Sequence, residues 1–287
     1  MKKKDGSIET WGWTTPPDGV MTDYINKCQL FVERDDLFEN FKRDDSYTKI
    51  LEGPDKSVAD EAINRIYSSK HRTLLMLRDL DRFKENDLLG NPVMHSYNKI
   101  GKLSAGTLKY ICSAADITLW IQRKFYKKTS MIINNPDIRN IVEIGGGYGG
   151  LCKMLYHMLD FDSYTLIDLP EASELSKKYL NHFPELKDKV FFIPCSELKN
   201  LEKISDIDLV ICDASLAECD GRTQLEYANK VLSNSKLNYV VHNTDHLPEQ
   251  RRAWCETLGV LGKKFEIEIN PRPGGMLEFF FNRRSVL

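Results

Sequence analysis

Short apolar runs alternate with helical stretches in the second half of the chain. Residues 141–144, 164–168, 190–193, 209–213 and 239–242 form the five runs. Between them apolar residues recur at helical spacing, as in Leu151, Met154, Leu155, Met158 and Leu159. Runs that alternate with helices in this way predict a parallel sheet with helices on both faces.

The chain ends in two further strand-like runs, residues 265–269 and 277–282, which flank Asn270-Pro271-Arg272-Pro273-Gly274-Gly275. Pro and Gly at this density mark a turn, so the two runs predict a terminal antiparallel hairpin. Together with the five earlier runs, they predict an α/β fold with a Rossmann-like sheet of seven strands.

The first part of the chain has a different pattern, with apolar residues at helical spacing between turn signals and no convincing strand. Ser57, with Asp60 three residues later, predicts the cap of a long helix, and a second helix is predicted to begin after Ser104. Asn134-Asn135-Pro136 marks a boundary. We predict a mostly helical region 1–135, which acts as a substrate platform, lid or dimer contact, and a Rossmann-like domain 136–287.

Clustered glycines follow the first run, and a carboxylate ends the second. Because glycine has no Cβ, the backbone N–H groups of such a loop can approach a ligand closely before the next helix begins. Asp168 is placed where a carboxylate can accept both hydrogen bonds from a ribose diol. The pair predicts a nucleoside-cofactor site. Its predicted contacts include Gly145, Gly146, Gly147, Tyr148, Asp168 and Leu169.

Two cofactor classes fit this loop. Gly145, Gly147 and Gly150 satisfy the G-x-G-x-x-G spacing of a nicotinamide or flavin site. Glu143, however, stands two residues before the first glycine, and this order of an acid followed by G-x-G-x-G resembles the first motif of class I methyltransferases. That superfamily also ends in an antiparallel hairpin. The resemblance implies S-adenosylmethionine as the cofactor, and a nicotinamide-dependent oxidoreductase stays as the alternative.

Polar residues follow the later runs, at the strand ends where open sheets bind ligands. Asp213 is predicted to orient the cofactor or substrate, and Glu218 to reach a substrate hydroxyl. Methylation of an alcohol needs a base, which contributes about 10²–10⁴-fold. The cluster His242, Asp245 and His246 supplies the candidates. These residues with Glu218 or Asp213 could instead hold a divalent ion, but their spacing is too irregular to predict a metal site.

A narrower resemblance is to a family of sugar O-methyltransferases. It is carried by Gly90-Asn91-Pro92, residues 104–110, Ser215-Leu216-Ala217-Glu218 and His242-Asn243-Thr244-Asp245-His246, and it covers roughly residues 85 to 282. The resemblance implies that Glu143, Gly145, Gly147 and Asp168 contact the cofactor, that Ser196 lies near its adenine, and that Glu218 faces the substrate. Asp213 departs from the family pattern, which has a neutral Asn or Ser there.

Composition narrows the class of substrate. The formal charge of −2 comes from 40 basic and 42 acidic residues, so no overall field favours nucleic acid or an anionic membrane. No apolar run is long enough to span a bilayer. The seven scattered cysteines are typical of reduced thiols in a cytoplasmic protein.

We expect methylation of a hydroxyl on a sugar, in particular a nucleotide-linked sugar. Another small-molecule hydroxyl is the alternative acceptor. A homodimer is compatible with the helical region.

Overall fold

The computed structural model describes residues 20–51, 56–68, 80–98, 100–125, 138–197, 206–243, 248–272 and 276–284. Its first part is mostly helical, as predicted, with a small antiparallel hairpin that the sequence patterns missed. The elements of this part are α1 Val20–Glu33, α2 Asp35–Phe38, α3 Asp45–Thr48, α4 Lys56–Ile66, α5 Leu80–Lys84, β1 Met94–Tyr97, β2 Gly101–Ser104 and α6 Ala105–Phe125. The hairpin strands have four residues each, too few for an alternating pattern to stand out.

Helix α6 begins at the predicted position because its first turn is capped by side chains. Asp87 accepts hydrogen bonds from the backbone N–H and the hydroxyl of Ser104, at 2.8 and 2.7 Å. The Ser104 hydroxyl in turn accepts from the backbone N–H of Thr107 at 3.0 Å. These bonds satisfy donors that the first turn of a helix leaves without intrahelical partners.

The second part alternates strands and helices. Its elements are β3 Asn140–Ile144, α7 Gly150–Tyr156, β4 Ser163–Asp168, α8 Pro170–Leu180, β5 Val190–Pro194, β6 Ile207–Asp213, α9 Gly221–Lys230, β7 Ser235–Asn243, α10 Pro248–Leu261, β8 Phe265–Arg272 and β9 Met276–Arg283. All seven predicted strands are present, and each is longer than its predicted run by one to four residues at one end or at both. The predicted domain boundary falls within residues 126–137, outside the described residues, and stays a prediction.

The seven strands form one sheet in the order β5-β4-β3-β6-β7-β9-β8. Strands β3 to β7 are parallel, and β9 lies antiparallel to both β7 and β8. This is the Rossmann-like sheet of seven strands with a terminal antiparallel hairpin that the sequence predicted. The strand order reverses between β3 and β6, and open α/β sheets bind ligands beyond the strand ends at such a switch point.

Each face of the sheet is covered by different helices. Ile141 and Leu209 belong to a core that includes Leu108 of α6 and the helices of the first part. Val142 and Val210 face the other way and pack with residues of α9 and α10. Among the described residues, no helix is long and apolar enough to cross a membrane.

Candidate functional site

The glycine loop after β3 needs residues without side chains. Gly145, Gly147 and Gly149 have φ values of +75°, +57° and +91°, a region that L-residues with a Cβ rarely adopt. A Cβ on Gly145 would lie 2.2 Å from Ser215 Cβ, and one on Gly146 would lie 2.1 Å from Leu166 Cδ2. The loop is therefore pressed between the strand-end segments on both sides of it, and its glycines are required for packing as well as for backbone conformation.

Asp168 anchors this loop from the end of β4. Its carboxylate accepts hydrogen bonds from the backbone N–H of Gly147 at 2.8 Å and of Leu169 at 2.7 Å. Burial raises the pKa of Asp168 to about 6, against the effect of these two donors. The carboxylate also borders a cavity, so oxygen lone pairs that the backbone does not use are available to a ligand.

Two neighbouring cavities lie over the loop. We call them the Asp168 cavity, lined by Asp168, Gly147, Ser215, Glu218 and Tyr24, and the Arg272 cavity, lined by Arg272, Lys109, Tyr110, Glu143 and Gly146. Both are bordered by Ile50, Leu51, Gly145, Asp213 and Ala214. The two cavities are thus adjacent along the carboxyl ends of the strands. Ile50 and Leu51 of the helical part line both cavities opposite the strand ends.

Glu218 lies with Asp168, in the Asp168 cavity. Burial, and to a lesser extent the negative charge of Asp168, raises the pKa of Glu218 to about 7. The side chain reaches this position because Ala214 turns the chain sharply after β6, with a φ of +74°, and the short 3-10 helix Ser215–Glu218 follows. The structure therefore brings together two acids that the sequence assigned to different roles.

Asp213 is held by an ion-pair network. Arg272 Nη1 donates to its Oδ1 at 3.0 Å, and the Ser113 hydroxyl donates to its Oδ2 at 2.8 Å. Burial would raise the pKa of Asp213, but the Arg272 guanidinium and the Ser113 hydroxyl hold it below the ordinary value. The charged Asp213 thus holds an arginine at the border of the cavity.

The same network extends into the helical part of the chain. Arg272 Nε lies 3.8 Å from Glu278 Oε1, which accepts from Arg65 Nη2 at 3.2 Å and from the Tyr239 hydroxyl at 3.2 Å. Arg65 also pairs with Asp116 of α6. The terminal hairpin, the sheet and two helices of the first part are thereby joined by buried and half-buried charges beside the site.

Glu143 lies beneath the loop, with its carboxyl against the backbone of Gly146. A Cβ on Gly146 would lie 3.0 Å from Glu143 Oε2, and the same oxygen accepts a 2.8 Å hydrogen bond from the Tyr164 hydroxyl. Burial raises the pKa of Glu143 to about 8, so the carboxyl is mostly protonated at neutral pH. Glu143 also borders the Arg272 cavity, together with Gly145 and Gly146, which the sequence likewise predicts as cofactor contacts.

Other predicted cofactor contacts lie away from the two cavities. The Tyr148 side chain is fully buried towards the helical part, where its hydroxyl accepts from Asn86 Nδ2 at 3.1 Å and its ring packs on Tyr179 at 4.8 Å. Leu169 is buried, and its backbone N–H serves Asp168. Ser196 is half-buried in the turn after β5 and is not a lining residue of either cavity. Their predicted roles stay predictions.

His242 lies on the opposite face of the sheet from Glu143. Its ring is 2% exposed and stacks on the Trp254 ring of α10, with centroids 4.6 Å apart. His246 and Asp245 lie within residues 244–247, outside the described residues. The part of the chain that the structure describes contains no group of three or more His, Cys, Asp or Glu side chains that could hold a metal ion.

Arg272, Lys109 and Tyr110 line the site but were missed as site residues. Arg272 stands beside two prolines and two glycines, which indicated a turn, whereas the structure continues β8 through it. Lys109 and Tyr110 belong to the first two turns of α6, and the only sequence signal that includes them is the resemblance carried by residues 104–110. Apolar periodicity identifies the buried side of such a helix, and it does not indicate which polar residues face a distant strand end.

Neither family models nor curated proteins match the chain. Several solved structures resemble it at low identity. The methyltransferase domain of bacterial CtHen1-C is 11% identical over 60% of this chain and 97% of that chain, with a TM-score of 0.45. An O-methyltransferase family protein from Burkholderia thailandensis is 16% identical over 63% and 61%, with a TM-score of 0.42. M. capricolum TrmK, solved with S-adenosyl-homocysteine, is 15% identical over 52% and 64%, with a TM-score of 0.38.

Proposed function

We propose that the protein is an S-adenosylmethionine-dependent methyltransferase. The observation that carries this proposal is the position of Asp168 and the glycine loop at the switch point of a sheet whose β9 alone is antiparallel. Dinucleotide-binding sheets are built from two βαβαβ halves in the order 3-2-1-4-5-6. Here the hairpin inserts β9 between β7 and β8, so the geometry favours the methyltransferase over the nicotinamide alternative.

The chemistry of the side chains fits this cofactor. Asp168 and Glu218 supply acceptors for the ribose hydroxyls, and Gly145 and Gly146 allow the amino-acid end to lie against the backbone of the loop. When bound, S-adenosylmethionine supplies an electrophilic methyl group on a sulfonium. The protein's task is to align the acceptor with that group and to exclude water, which accounts for much of the rate in such reactions. Ile50 and Leu51 supply apolar surface for that exclusion.

We further propose a hydroxyl of a sugar, in particular a nucleotide-linked sugar, as the acceptor. The support is the resemblance of residues 85 to 282 to sugar O-methyltransferases, together with a balanced net charge that does not favour nucleic acid. His242 or His246 takes the hydroxyl proton in this proposal. Because the His242 ring is packed on Trp254, His246 and Asp245 are the first residues to substitute, and His242→Phe preserves the stacking while it removes the base.

The first experiment is a calorimetric titration with S-adenosylhomocysteine, with NADH as the competing ligand. We expect micromolar binding of S-adenosylhomocysteine alone. Asp168→Asn should weaken it by about tenfold or more, because hydrogen bonds to charged groups contribute roughly 1.5–3 kcal/mol. Asp162→Asn is the matched control, since Asp162 is exposed and its nearest cation, Arg139, lies 3.7 Å away. Binding of NADH alone would overturn the proposal.

A panel of acceptors then tests the finer proposal. Purified protein is incubated with S-adenosylmethionine carrying a labelled methyl group and with free sugars, nucleotide-linked sugars and phenolic hydroxyl compounds. Transfer to a sugar supports the assignment, and transfer only to another hydroxyl compound replaces it. One of the two variants, His246→Ala or His242→Phe, should lower turnover without changing the affinity for S-adenosylhomocysteine. Unchanged turnover in both variants would remove the histidines from the proposal.

A further inference from the structure

Lys109 is the cation of the Arg272 cavity that the protein itself leaves available. It lies in the second turn of α6, is exposed, and borders the cavity beside Tyr110 and Gly106 of the same helix. Among the described residues, none forms a hydrogen bond or ion pair with its ammonium group. Lys109 can therefore bind a negatively charged ligand without first losing a hydrogen bond or ion pair to another residue.

The other cation of this cavity is already engaged. Arg272 donates from Nη1 to Asp213 at 3.0 Å and from Nη2 to the Ser113 hydroxyl at 3.0 Å, and its Nε lies 3.8 Å from Glu278 Oε1. Its side chain is only 6% exposed. Arg272 thus fixes Asp213 in place, and Lys109 is the cation that can move to meet a ligand.

Lys109 lies close to the part of the loop that would receive the amino-acid end of the cofactor. Gly145 and Gly146 border the same cavity as Lys109, whereas Asp168 and Glu218 border the neighbouring one. If the ribose lies at Asp168, the adjoining Arg272 cavity, which Glu143 and Asp213 border, is the space left for the amino-acid end. That end is a zwitterion, so it needs an anion for its ammonium group and a cation for its carboxylate.

We propose that Lys109 binds the α-carboxylate of S-adenosylmethionine, while the carboxylate of Asp213 faces the α-ammonium group. This inference rests on the proposed function, because it takes the cofactor as given. It assigns to the helical part of the chain a direct role in cofactor binding. Lys109 is a binding residue in this proposal, and it takes no part in the transfer of the proton or the methyl group.

The test compares S-adenosylmethionine with its decarboxylated form, which lacks only the carboxylate, and with methylthioadenosine, which lacks the whole amino-acid end and the sulfonium charge. Calorimetry is done with S-adenosylmethionine, with decarboxylated S-adenosylmethionine and with methylthioadenosine, on wild-type protein, Lys109→Met and Lys109→Arg. Lys124→Met is the control, since Lys124 lies on the same helix 15 residues away, about 22 Å along its axis. The readout is affinity, so an acceptor is not needed.

We expect the wild-type protein to bind S-adenosylmethionine about tenfold more tightly than its decarboxylated form, as a charge-assisted hydrogen bond allows. Lys109→Met should remove this preference and leave the affinity for methylthioadenosine unchanged, while Lys109→Arg and Lys124→Met keep the preference. A Lys109→Met variant that retains the full preference would overturn the inference and would leave Lys109 to an anionic acceptor. If the wild-type protein bound none of the three ligands, the proposed function itself would fail.

Discussion

Glu218 and Asp168 border the same cavity, and the negative charge of Asp168 adds to burial in raising the pKa of Glu218 to about 7. The pKa of Asp168 is itself raised to about 6 by burial. A ribose diol donates hydrogen bonds, which favour the ionised form of a carboxyl group and so lower its pKa. In the proposed function, cofactor binding and the loss of protons from this pair are therefore linked.

The first prediction concerns this linkage. Below pH 7 Glu218 is largely protonated in the free protein, so binding of S-adenosylhomocysteine should release about half a proton at pH 7 and more at pH 6. The affinity of the protein for S-adenosylhomocysteine should fall by about tenfold between pH 8 and pH 6. The measurement is calorimetry at each pH in two buffers that differ in ionisation enthalpy.

Glu218→Gln should remove most of this proton release, because the amide does not titrate. Glu266→Gln is the control, since Glu266 is exposed on β8 and lies outside both cavities. If Glu218→Gln released as many protons as the wild-type protein, the link between Glu218 and the ribose would be wrong, and Asp168 alone would have to account for the pH dependence.

A second prediction concerns Arg272 as a link between the hairpin and the rest of the protein. Among the described residues, Arg272→Met leaves the Ser113 hydroxyl as the hydrogen-bond donor to Asp213, and it removes a cation from beside Glu278. Loss of one partner from a buried ion pair costs about 3–5 kcal/mol in the free energy of unfolding. Denaturant unfolding measures this cost.

Arg123→Met is the matched control for Arg272. Arg123 Nη2 lies 3.9 Å from Glu268 Oε1, and the two side chains are 54% and 40% exposed. Such a surface pair contributes about 0–1 kcal/mol. Equal losses of stability in the two variants would show that the Arg272 network does not stabilise the fold.

The double variant Arg272→Gln with Asp213→Asn should lower the free energy of unfolding by less than the sum of the two single substitutions.

The sequence was sufficient to predict the strand ends but not the direction in which each side chain points. Asp213 and His242 each come near the end of a predicted strand, and both were therefore site candidates. In the structure Asp213 pairs with Val241 across β6 and β7, so the next residue, His242, points to the other face and packs on Trp254. A shift of one residue in the pairing exchanges the faces, and the offset between two parallel strands separated by a helix cannot be read from their apolar pattern.

Residues of the helical part were equally hard to predict as parts of the site. Leu51 reaches the glycine loop from a segment almost 100 residues earlier, and its distance from Gly147 depends on how the helices pack on the sheet. Local signals were sufficient for Asp168 and the glycines, since strand, loop and helix are contiguous there. The cavity lining depends on long-range packing, which has no counterpart in local periodicity.

A third prediction concerns Glu143 and the pH dependence of stability. Its pKa of about 8 in the folded protein lies above the ordinary value of a glutamate, so between those values the folded state holds a proton that the unfolded state has lost. The contribution of Glu143 to the free energy of unfolding therefore decreases as pH rises from about 4.5 to 8.

Glu143→Gln removes this titration and keeps an oxygen that can accept from Tyr164. The variant should gain about 2 kcal/mol over the wild-type protein on going from pH 6 to pH 8. Denaturant unfolding at both pH values gives the difference, and Glu266→Gln again serves as the control. If the difference in the free energy of unfolding between Glu143→Gln and the wild-type protein were the same at pH 6 and pH 8, Glu143 would be ionised in the folded protein.

The last prediction separates two effects at Gly147. Its φ of +57° disfavours any residue with a Cβ, and a Cβ there would also lie 2.7 Å from Leu51 Cδ1. The left-handed conformation costs an alanine about 1–2 kcal/mol, and the contact with Leu51 adds to that cost. Gly147→Ala should thus destabilise the protein by about 2–3 kcal/mol. It should also weaken S-adenosylhomocysteine binding, because it would displace the Gly147 N–H that donates a hydrogen bond to Asp168.

In a Leu51→Ala background, Gly147→Ala should cost only the conformational part, about 1–2 kcal/mol. Gly259→Ala is the control, because a Cβ there meets nothing within 4 Å, and an alanine within α10 should stabilise the helix by about 0.5–1 kcal/mol. If Gly147→Ala costs as much without Leu51 as with it, the backbone conformation alone requires the glycine, and Leu51 does not press on the loop.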